Sequence, residues 1–176
     1  MPAPTVVARA ALLSILAVVP RALPAQSNPV TGAARLMAQR SGLHLIEGAL
    51  AMPADKYTYQ PTKGQMTFGE LVAHVTGDNR TTCASFSGLT ASEEAKPSPT
   101  APKATLVAAL SRSVTFCDSA FASVSDARLG EPVTWYGTRT TRAEPLLGLL
   151  TDWADHYGQQ AMYLRLNGIL PPTARK

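Results

Sequence analysis

Apolar residues recur three and four positions apart in four stretches of the sequence, and proline or glycine lies between one stretch and the next. This spacing is typical of amphipathic α-helices, whereas no stretch alternates convincingly as a strand does. The stretch SDARLGEPVTWYGTRTTR is predicted to be irregular or to contain a short extended turn. Four amphipathic helices with short or moderate loops predict an all-α, up-down four-helix bundle. The predicted helices run from about Pro29 to Met52, Thr67 to Ser87, Ala104 to Val124 and Arg142 to Asn167.

The helical spacing also predicts which side chains form the core. In the second helix, Thr67 and Glu70 have the spacing of a capping box, which satisfies backbone N–H groups at a helix start. The loop GLTASEEAKPSPTAPKA is rich in proline, serine and alanine and is expected to be the most mobile internal segment. The predicted core positions are Leu36, Leu43, Ile46 and Leu50 in the first helix, Leu71, Val75 and Phe86 in the second, and Leu106, Leu110, Val114, Cys117 and Phe121 in the third.

Residues 1–25 have the layout of a secretory signal peptide. A single early cation, Arg9, precedes an apolar run from Ala10 to Val19, and Leu-Pro-Ala before Gln26 matches a cleavage site. The run is far shorter than the ~20 residues that a membrane-spanning helix needs. The sequence therefore predicts an exported protein, periplasmic or extracellular, with a mature domain over residues 26–176 and no stable membrane insertion after cleavage. An uncleaved anchor is the alternative.

The charge distribution does not indicate a nucleic-acid partner. The signal segment holds two arginines and no acidic residue, so the formal net charge of +4 falls to +2 in the mature chain. The remaining lysines and arginines are scattered along the sequence, whereas a surface that binds phosphate groups needs clustered cations. Nucleic-acid binding is therefore not predicted.

One face of the last predicted helix carries polar residues within an apolar pattern. Asp152 and His156 on this face have the i, i+4 spacing at which two side chains can bind one metal ion. Such a pair is also common on solvated helix faces. The residues that share this face, at steps of three and four, are Leu149, Asp152, His156, Gln159 and Tyr163.

The second helix supplies a candidate partner for this pair, His74. Its neighbours Leu71 and Val75 are apolar, so a hydrogen-bonded core histidine is the alternative to a metal ligand. If the second and last helices face each other, His74, Asp152 and His156 converge. Two imidazoles and one carboxylate can bind zinc, nickel, iron(II) or manganese and leave positions open for water or substrate. The sequence therefore predicts a divalent transition-metal site at these three residues.

Other polar residues near this set have supporting predicted roles. Asp78 lies one turn beyond the histidine of the second helix and is expected beside the ion, as a hydrogen-bonding partner of a ligand or as a base. Gln159 and Tyr163 are expected to support the ligands in the same way. Asp155 is expected to face solvent. His44 has no partner at ligand spacing and is interpreted as structural or exposed.

The two cysteines are predicted to form a disulfide. An even pair in an oxidising compartment favours a bridge over redox catalysis. Cys83 lies nine residues after His74, on the opposite side of the second helix, which favours a structural bridge to Cys117 on the third helix. Such a bridge would stabilise the fold by roughly 3–4 kcal/mol. Two separate buried thiols are the alternative.

Two segments of the sequence carry a resemblance to a known family. They are YTYQPTKGQMTFGELVAHVTGDNRTTCASFSG and DHYGQQAMYLRLNGILPP. Over about Pro29 to Pro172, the chain resembles the DinB-like proteins, the damage-inducible superfamily that includes thiol-dependent S-transferases. The resemblance implies a four-helix bundle with a divalent metal held by three histidines. One histidine comes from the second helix, and two come from an H-x-x-x-H pair in the last helix.

The ligands of that family map onto residues of this chain. His74 matches the first ligand and His156 the last, while Asp152 stands where the family usually has histidine. The resemblance implies a metal-dependent transferase or hydrolase that acts on a small substrate, through Lewis-acid polarisation or activation of a bound thiol or water. A non-catalytic bundle that binds a metal or ligand, with a degraded site, is the alternative. Bundles of this type can form homodimers, and the sequence leaves the oligomeric state open.

Overall fold

The structure is a computed structural model that describes residues 1, 27–92 and 95–175. Helices and one hairpin make up its regular structure over these ranges, so the predicted four-helix bundle is confirmed. None of the described helices is long and apolar enough to cross a membrane. The predicted signal peptide falls outside the described residues. The helices are α1 (Pro29–Ala51), α2 (Phe68–Ser87), α3 (Lys103–Ser123) and α4 (Ala143–Leu166), and the antiparallel strands are β1 (Pro132–Trp135) and β2 (Thr138–Thr141).

The predicted capping box starts α2. The Thr67 hydroxyl accepts a hydrogen bond from the Glu70 N–H at 3.2 Å, and the Glu70 carboxylate accepts one from the Thr67 N–H at 2.6 Å. The helix is followed by Gly88, whose φ of 78° lies in the left-handed region that glycine adopts without strain. The capping box and Gly88 set where α2 begins and ends. The bounds of the helix in turn determine which of its side chains face the bundle.

The helices α2 and α3 run in the same direction. The evidence is that residues in contact across the two helices differ in residue number by a nearly constant amount. The same holds for α1 and α4, and the two pairs are antiparallel to each other. Successive helices therefore do not alternate strictly between up and down. The exception is α3, which follows α2 through residues 88–102 and runs in the same direction. The contacts are Asn79–Ser113, Cys83–Cys117 and Phe86–Phe121 for the first pair, and Gly42–Trp153, His44–Tyr157 and Gly48–Gln160 for the second.

The predicted core positions of α2 and α3 are buried, but those of α1 are not. Leu36, Leu43 and Leu50 are 69%, 53% and 53% exposed, and Ile46 is only partly buried. The core prediction is therefore wrong for these three leucines, whereas Ile46 packs against the core. Large apolar side chains mark the outer face of α1 instead.

Small residues form the inner face of α1 because the helix packs closely against its neighbours. A Cβ atom on Gly42 would lie 2.7 Å from Cγ1 of Val114 and 3.1 Å from the ring of Trp153. Only glycine leaves room for both side chains at this point. Ala34 and Ala38 continue the same buried face. The close contact sets the distance from α1 to α3 and to α4, and α4 carries part of the candidate site.

Cys83 and Cys117 form a disulfide between α2 and α3, with Cα atoms 5.3 Å apart. The predicted bridge is confirmed, and the alternative of two separate thiols is wrong. The two cysteines are 34 positions apart. Because α2 and α3 are parallel, the bridge fastens them near the ends of both helices and closes the connection between them into a covalent loop.

Candidate metal centre

Two histidines meet between α2 and α4. The ring centroids of His74 and His156 are 4.9 Å apart, and the ring planes are nearly perpendicular, at 85°. His156 is only 7% exposed, whereas His74 is half-buried. The antiparallel packing of α2 and α4 therefore brings together two imidazoles that are far apart in the sequence.

Each of these histidines has a carboxylate one helical turn away. Oδ2 of Asp78 lies 3.0 Å from Nε2 of His74, and Oδ1 of Asp152 lies 3.2 Å from Nε2 of His156. Asp78 follows its histidine in α2, while Asp152 precedes its histidine in α4. Because these helices are antiparallel, both steps lead in the same direction. The two carboxylates therefore lie on the same side of the histidine pair.

Three of these residues hold donor atoms close enough to share one ion. One nitrogen from each of His74 and His156 and one carboxylate oxygen of Asp78 all lie within 4.8 Å of one another. Asp152, the third ligand expected from the sequence, lies outside this group of three but contacts His156. Asp78, expected beside the ion, lies inside it. Imidazole nitrogens with carboxylate oxygens suit zinc, iron(II), nickel and manganese, so the chemistry of the donor set fits a divalent transition metal.

Negative charge surrounds the buried imidazole of His156. Loss of water around the ring acts to lower its pKa, but the hydrogen bond and charge of Asp152 outweigh this effect. The charges of Asp155 and Asp78 add to it, and the pKa of His156 is raised above its usual value. The same carboxylates would attract a divalent cation.

Two buried atoms of the site lack a hydrogen-bond partner among the described residues: Nδ1 of His156 and Oδ2 of Asp152. Leaving a buried polar atom unpaired costs about 1–3 kcal/mol, and more for a charged group. A cation bound beside Asp152 would offset this cost for its carboxylate. The unpaired oxygen is a second observation that fits a metal at this position.

A buried hydrogen-bond network lies directly behind the two carboxylates. Asn79 is fully buried, donates from Nδ2 to Oγ of Ser113 at 2.9 Å, and accepts from Nε1 of Trp153 at 2.6 Å. Asn79 follows Asp78 in α2, and Trp153 follows Asp152 in α4. The bond between them therefore fixes the relative positions of the two helices next to the candidate ligands.

Gln159 and Tyr163, which were expected to support the ligands, lie elsewhere. Gln159 donates from Nε2 to Oδ2 of Asp155 at 2.8 Å near the surface. The hydroxyl of Tyr163 donates to the carbonyl oxygen of Met66 at 2.8 Å. Seven residues of helix separate Tyr163 from His156, a rise of about 10 Å. Sharing a helix face therefore does not place these two side chains at the histidine pair.

The third histidine lies outside the group. The ring of His44 on α1 packs against the ring of Tyr157 on α4, with centroids 5.1 Å apart. The side chain is half-buried and contributes to the contact between these two helices.

A pocket of about 700 Å³ opens beside the histidine pair. His74, Asp78 and Asp152 contribute to its polar lining, and Trp135 and Tyr136 of the β-hairpin contribute an aromatic wall. A volume of this size is typical of sites that bind small molecules. Of the candidate ligands, His74, Asp78 and Asp152 are therefore open to a molecule that enters from solvent.

The sequence analysis missed the two aromatic residues of this wall. The stretch VTWYGTRT contained a usable signal, because two short runs rich in β-branched and aromatic residues flank a two-residue turn that ends in glycine. The structure pairs Trp135 with Thr138 across this turn. The position of the hairpin over the pocket has no such signal, because it depends on how the hairpin packs against α2 and α4.

Solved structures of other proteins share this fold. A DinB-like protein from Bacillus cereus aligns with a TM-score of 0.66 at 19% identity, over 78% of this chain and 93% of that chain. A DinB-like protein from Bacillus subtilis aligns with a TM-score of 0.65 at 17% identity, over 82% of this chain and 99% of that chain. A mutant of mycothiol-dependent maleylpyruvate isomerase aligns with a TM-score of 0.59 at 15% identity, over 73% of this chain and 59% of that chain.

At these identities the structural likeness shows the fold alone, whereas the sequence shows the family. Comparison with curated proteins finds no match. The family model described as the DinB superfamily matches residues 21–160, which is most of the sequence. The chain therefore belongs to the DinB superfamily.

Proposed function

We propose that this protein binds a divalent transition-metal ion between α2 and α4 and uses it to act on a small molecule, as a transferase or hydrolase. The observation that carries the proposal is the grouping of donor atoms from His74, Asp78 and His156 within 4.8 Å. Asp152 is the fourth donor in this proposal. One of its oxygens contacts His156, and the other has no hydrogen-bond partner in the described part of the chain.

A metal held by these residues supplies Lewis-acid chemistry, or lowers the pKa of a bound water or thiol. The residues of the chain contribute position and access. The network of Asn79 and Trp153 holds α2 against α4, and the pocket beside His74 admits a small molecule to one side of the group. The fold shared with a mycothiol-dependent maleylpyruvate isomerase supports chemistry on a small molecule as the class of reaction.

Metal analysis of the purified protein tests the centre. We expect about one equivalent of a divalent transition metal in the wild type and none in His156→Ala, because the ligand set of a site is needed for tight binding. Asp78→Asn and Asp152→Asn should each weaken binding by at least about 10-fold. Two control variants, Asp55→Asn and His44→Gln, remove an exposed carboxylate and a histidine from outside the group and should bind as the wild type does.

A wild type that takes up no zinc, nickel, iron(II) or manganese would contradict the proposal. Retention of metal by His156→Ala would contradict the ligand assignment. Circular dichroism of each variant checks that a loss of metal binding is not a loss of fold.

Thiol-conjugation and esterase assays on the metal-loaded protein separate an enzyme from a non-catalytic binder. We expect turnover in the wild type that is lost in His156→Ala while the helical fold is kept. Stoichiometric metal without turnover in either assay would support the alternative, a bundle that binds a metal or ligand without catalysis.

Export is part of the proposal. The signal-peptide pattern of residues 1–25 and the Cys83–Cys117 disulfide support it, because disulfides persist in oxidising compartments. Mass spectrometry should find a chain that begins near Gln26 in the periplasmic or extracellular fraction. A full-length chain confined to the cytoplasm would contradict it.

A further inference from the structure

The tip of the β-hairpin holds a residue that does not suit its backbone. Tyr136 and Gly137, between β1 and β2, have φ values of 45° and 78°. Two left-handed residues in succession are typical of a type I′ turn, in which asparagine, aspartate and glycine are favoured. Tyr136 is the only non-glycine residue with positive φ in the described part of the chain. The turn alone therefore disfavours tyrosine at this position.

Packing into the core does not explain the tyrosine either. Tyr136 is 61% exposed. Its ring lies beside that of Trp135, with centroids 5.4 Å apart, and both rings line the pocket that contains His74 and Asp78. A strained residue that adds little to the core and lies at the edge of a pocket is typical of a functional position.

The hydroxyl of Tyr136 faces polar atoms inside the pocket. It lies close to Thr82 and Asp78, which also line the pocket. A phenol hydroxyl can donate and accept hydrogen bonds, so it can bond a polar group of a molecule in the pocket.

Trp135 fixes the hairpin in place over the pocket. Its indole Nε1 donates to Oγ1 of Thr82 on α2 at 3.2 Å. On the other side, its ring packs against α4 at Gly148, where a Cβ atom would lie 3.0 Å from Cη2 of the ring. Contacts with both helices hold the hairpin in place, so the position of Tyr136 at its tip, beside the pocket, is set by the fold.

We propose that Tyr136 is a ligand-contacting residue, whose hydroxyl forms a hydrogen bond with a small molecule bound at the metal centre while its ring and that of Trp135 contact a flat apolar part of the same molecule. This inference rests on the proposed function. The lining also limits the charge of the ligand. It includes Asp78, Asp152 and Asp155 but, among the described residues, no lysine or arginine. The part of the ligand that contacts this lining is therefore neutral or cationic.

Titration of the cobalt(II)-loaded full chain with benzohydroxamic acid, a neutral chelator with an aromatic ring, tests the inference by visible absorption. Tyr136→Phe should bind this probe about 5–10-fold more weakly, as loss of one hydrogen bond predicts. Tyr136→Asn should bind it more weakly still, because the ring is also lost. Tyr59→Phe, a matched substitution outside the pocket lining, should bind it as the wild type does. A probe with a para-carboxylate should bind the wild type less tightly than the parent compound.

The metal-free variants give a second measurement. Asparagine suits the turn, so Tyr136→Asn should melt at the same temperature as the wild type or higher. A lower melting temperature together with unchanged probe binding would indicate a purely structural residue and would overturn the inference while leaving the metal centre intact. A wild type that binds no cobalt(II) would overturn the proposed function and this inference with it.

Discussion

At the scale of single residues, the amide of Asn79 links three helices from one buried position. Its Nδ2 reaches Ser113 on α3, and its Oδ1 accepts the indole N–H of Trp153 on α4. A buried indole N–H needs a partner, and this one uses the amide oxygen for the purpose. The bond restrains α2 and α4 beside Asp78 and Asp152. A polar residue in the core therefore supports the geometry of the candidate ligands.

Asn79→Ala should lower the free energy of unfolding by about 2–3 kcal/mol, because it leaves the indole N–H of Trp153 buried and unpaired. Urea denaturation of the metal-free protein measures this change. Ser111→Ala is the control and should cost less, since the Ser111 hydroxyl lies outside this network and bonds the carbonyl oxygen of Val107 in its own helix. A loss below about 0.5 kcal/mol for Asn79→Ala, within the range of surface substitutions, would show that the network does not restrain the bundle.

At the scale of the helices, α1 shows which features can be predicted from the sequence and which cannot. The core of α3 is predictable because its large apolar residues, such as Leu110 and Phe121, occupy one face. In α1, leucines occur on both faces, and the buried face is marked by small residues such as Gly42. A prediction from hydropathy places the larger apolar side chains in the core. Which face is buried depends on how closely the neighbouring helices approach, and the sequence does not show this distance.

A matched pair of leucines in α1 tests this assignment. Leu45 is fully buried, whereas Leu43 is 53% exposed. Leu45→Ala should cost about 2–5 kcal/mol through the cavity it leaves. Leu43→Ala should change stability by no more than about 0.5 kcal/mol. Urea denaturation measures both, and equal losses for the two variants would mean that the outer face of α1 is covered in solution.

The N-terminus of α1 gives a prediction about acid. The Asp126 carboxylate accepts hydrogen bonds from the backbone N–H of Val30 at 2.9 Å, and from the N–H and hydroxyl of Thr31 at 2.7 Å each. Loss of water acts to raise the pKa of Asp126, but these hydrogen bonds outweigh it, so its pKa is lowered. A lowered pKa contributes stability above the usual carboxyl pKa, and this contribution is lost as pH falls through the folded value.

Stability should therefore fall as the pH drops below about 4, the usual pKa of an aspartate. Asp126→Asn should show a shallower loss over the same range, because it removes one of the groups that must be protonated. Thermal denaturation between pH 6 and pH 2 measures both curves, with Asp55→Asn, at an exposed carboxylate, as the control. Identical acid slopes for the wild type and Asp126→Asn would contradict the prediction.

At the scale of the whole molecule, the site depends on which helices are neighbours. Sequence spacing pairs Asp152 with His156 and equally pairs Asp78 with His74, since both are i, i+4. Nothing in the spacing alone decides which carboxylate lies closer to both rings. The antiparallel packing of α2 and α4 decides it, and it places Asp78 within the group of donor atoms. The sequence could therefore predict the types of side chain at the centre, but not their arrangement.

The disulfide is a covalent restraint on the bundle, since it links α2 to α3. Replacing both Cys83 and Cys117 with serine should lower the free energy of unfolding by roughly 4 kcal/mol, as the chain-entropy relation gives for a loop of this length. Reduction of the wild type should produce a loss of similar size, and the double variant should be insensitive to reductant. Titration of unfolded, unreduced wild type that finds free thiols would contradict the bridge.

The same bridge has a consequence for the proposed exported form of the protein, which would meet proteases. A cut anywhere in residues 89–102 would divide the chain into a half with α1 and α2 and a half with α3 and α4. The first half carries His74 and Asp78, and the second carries Asp152 and His156. The Cys83–Cys117 bond joins the two halves across the cut. A clipped molecule would thus persist as a two-chain protein, with both parts of its candidate metal centre still tethered to each other.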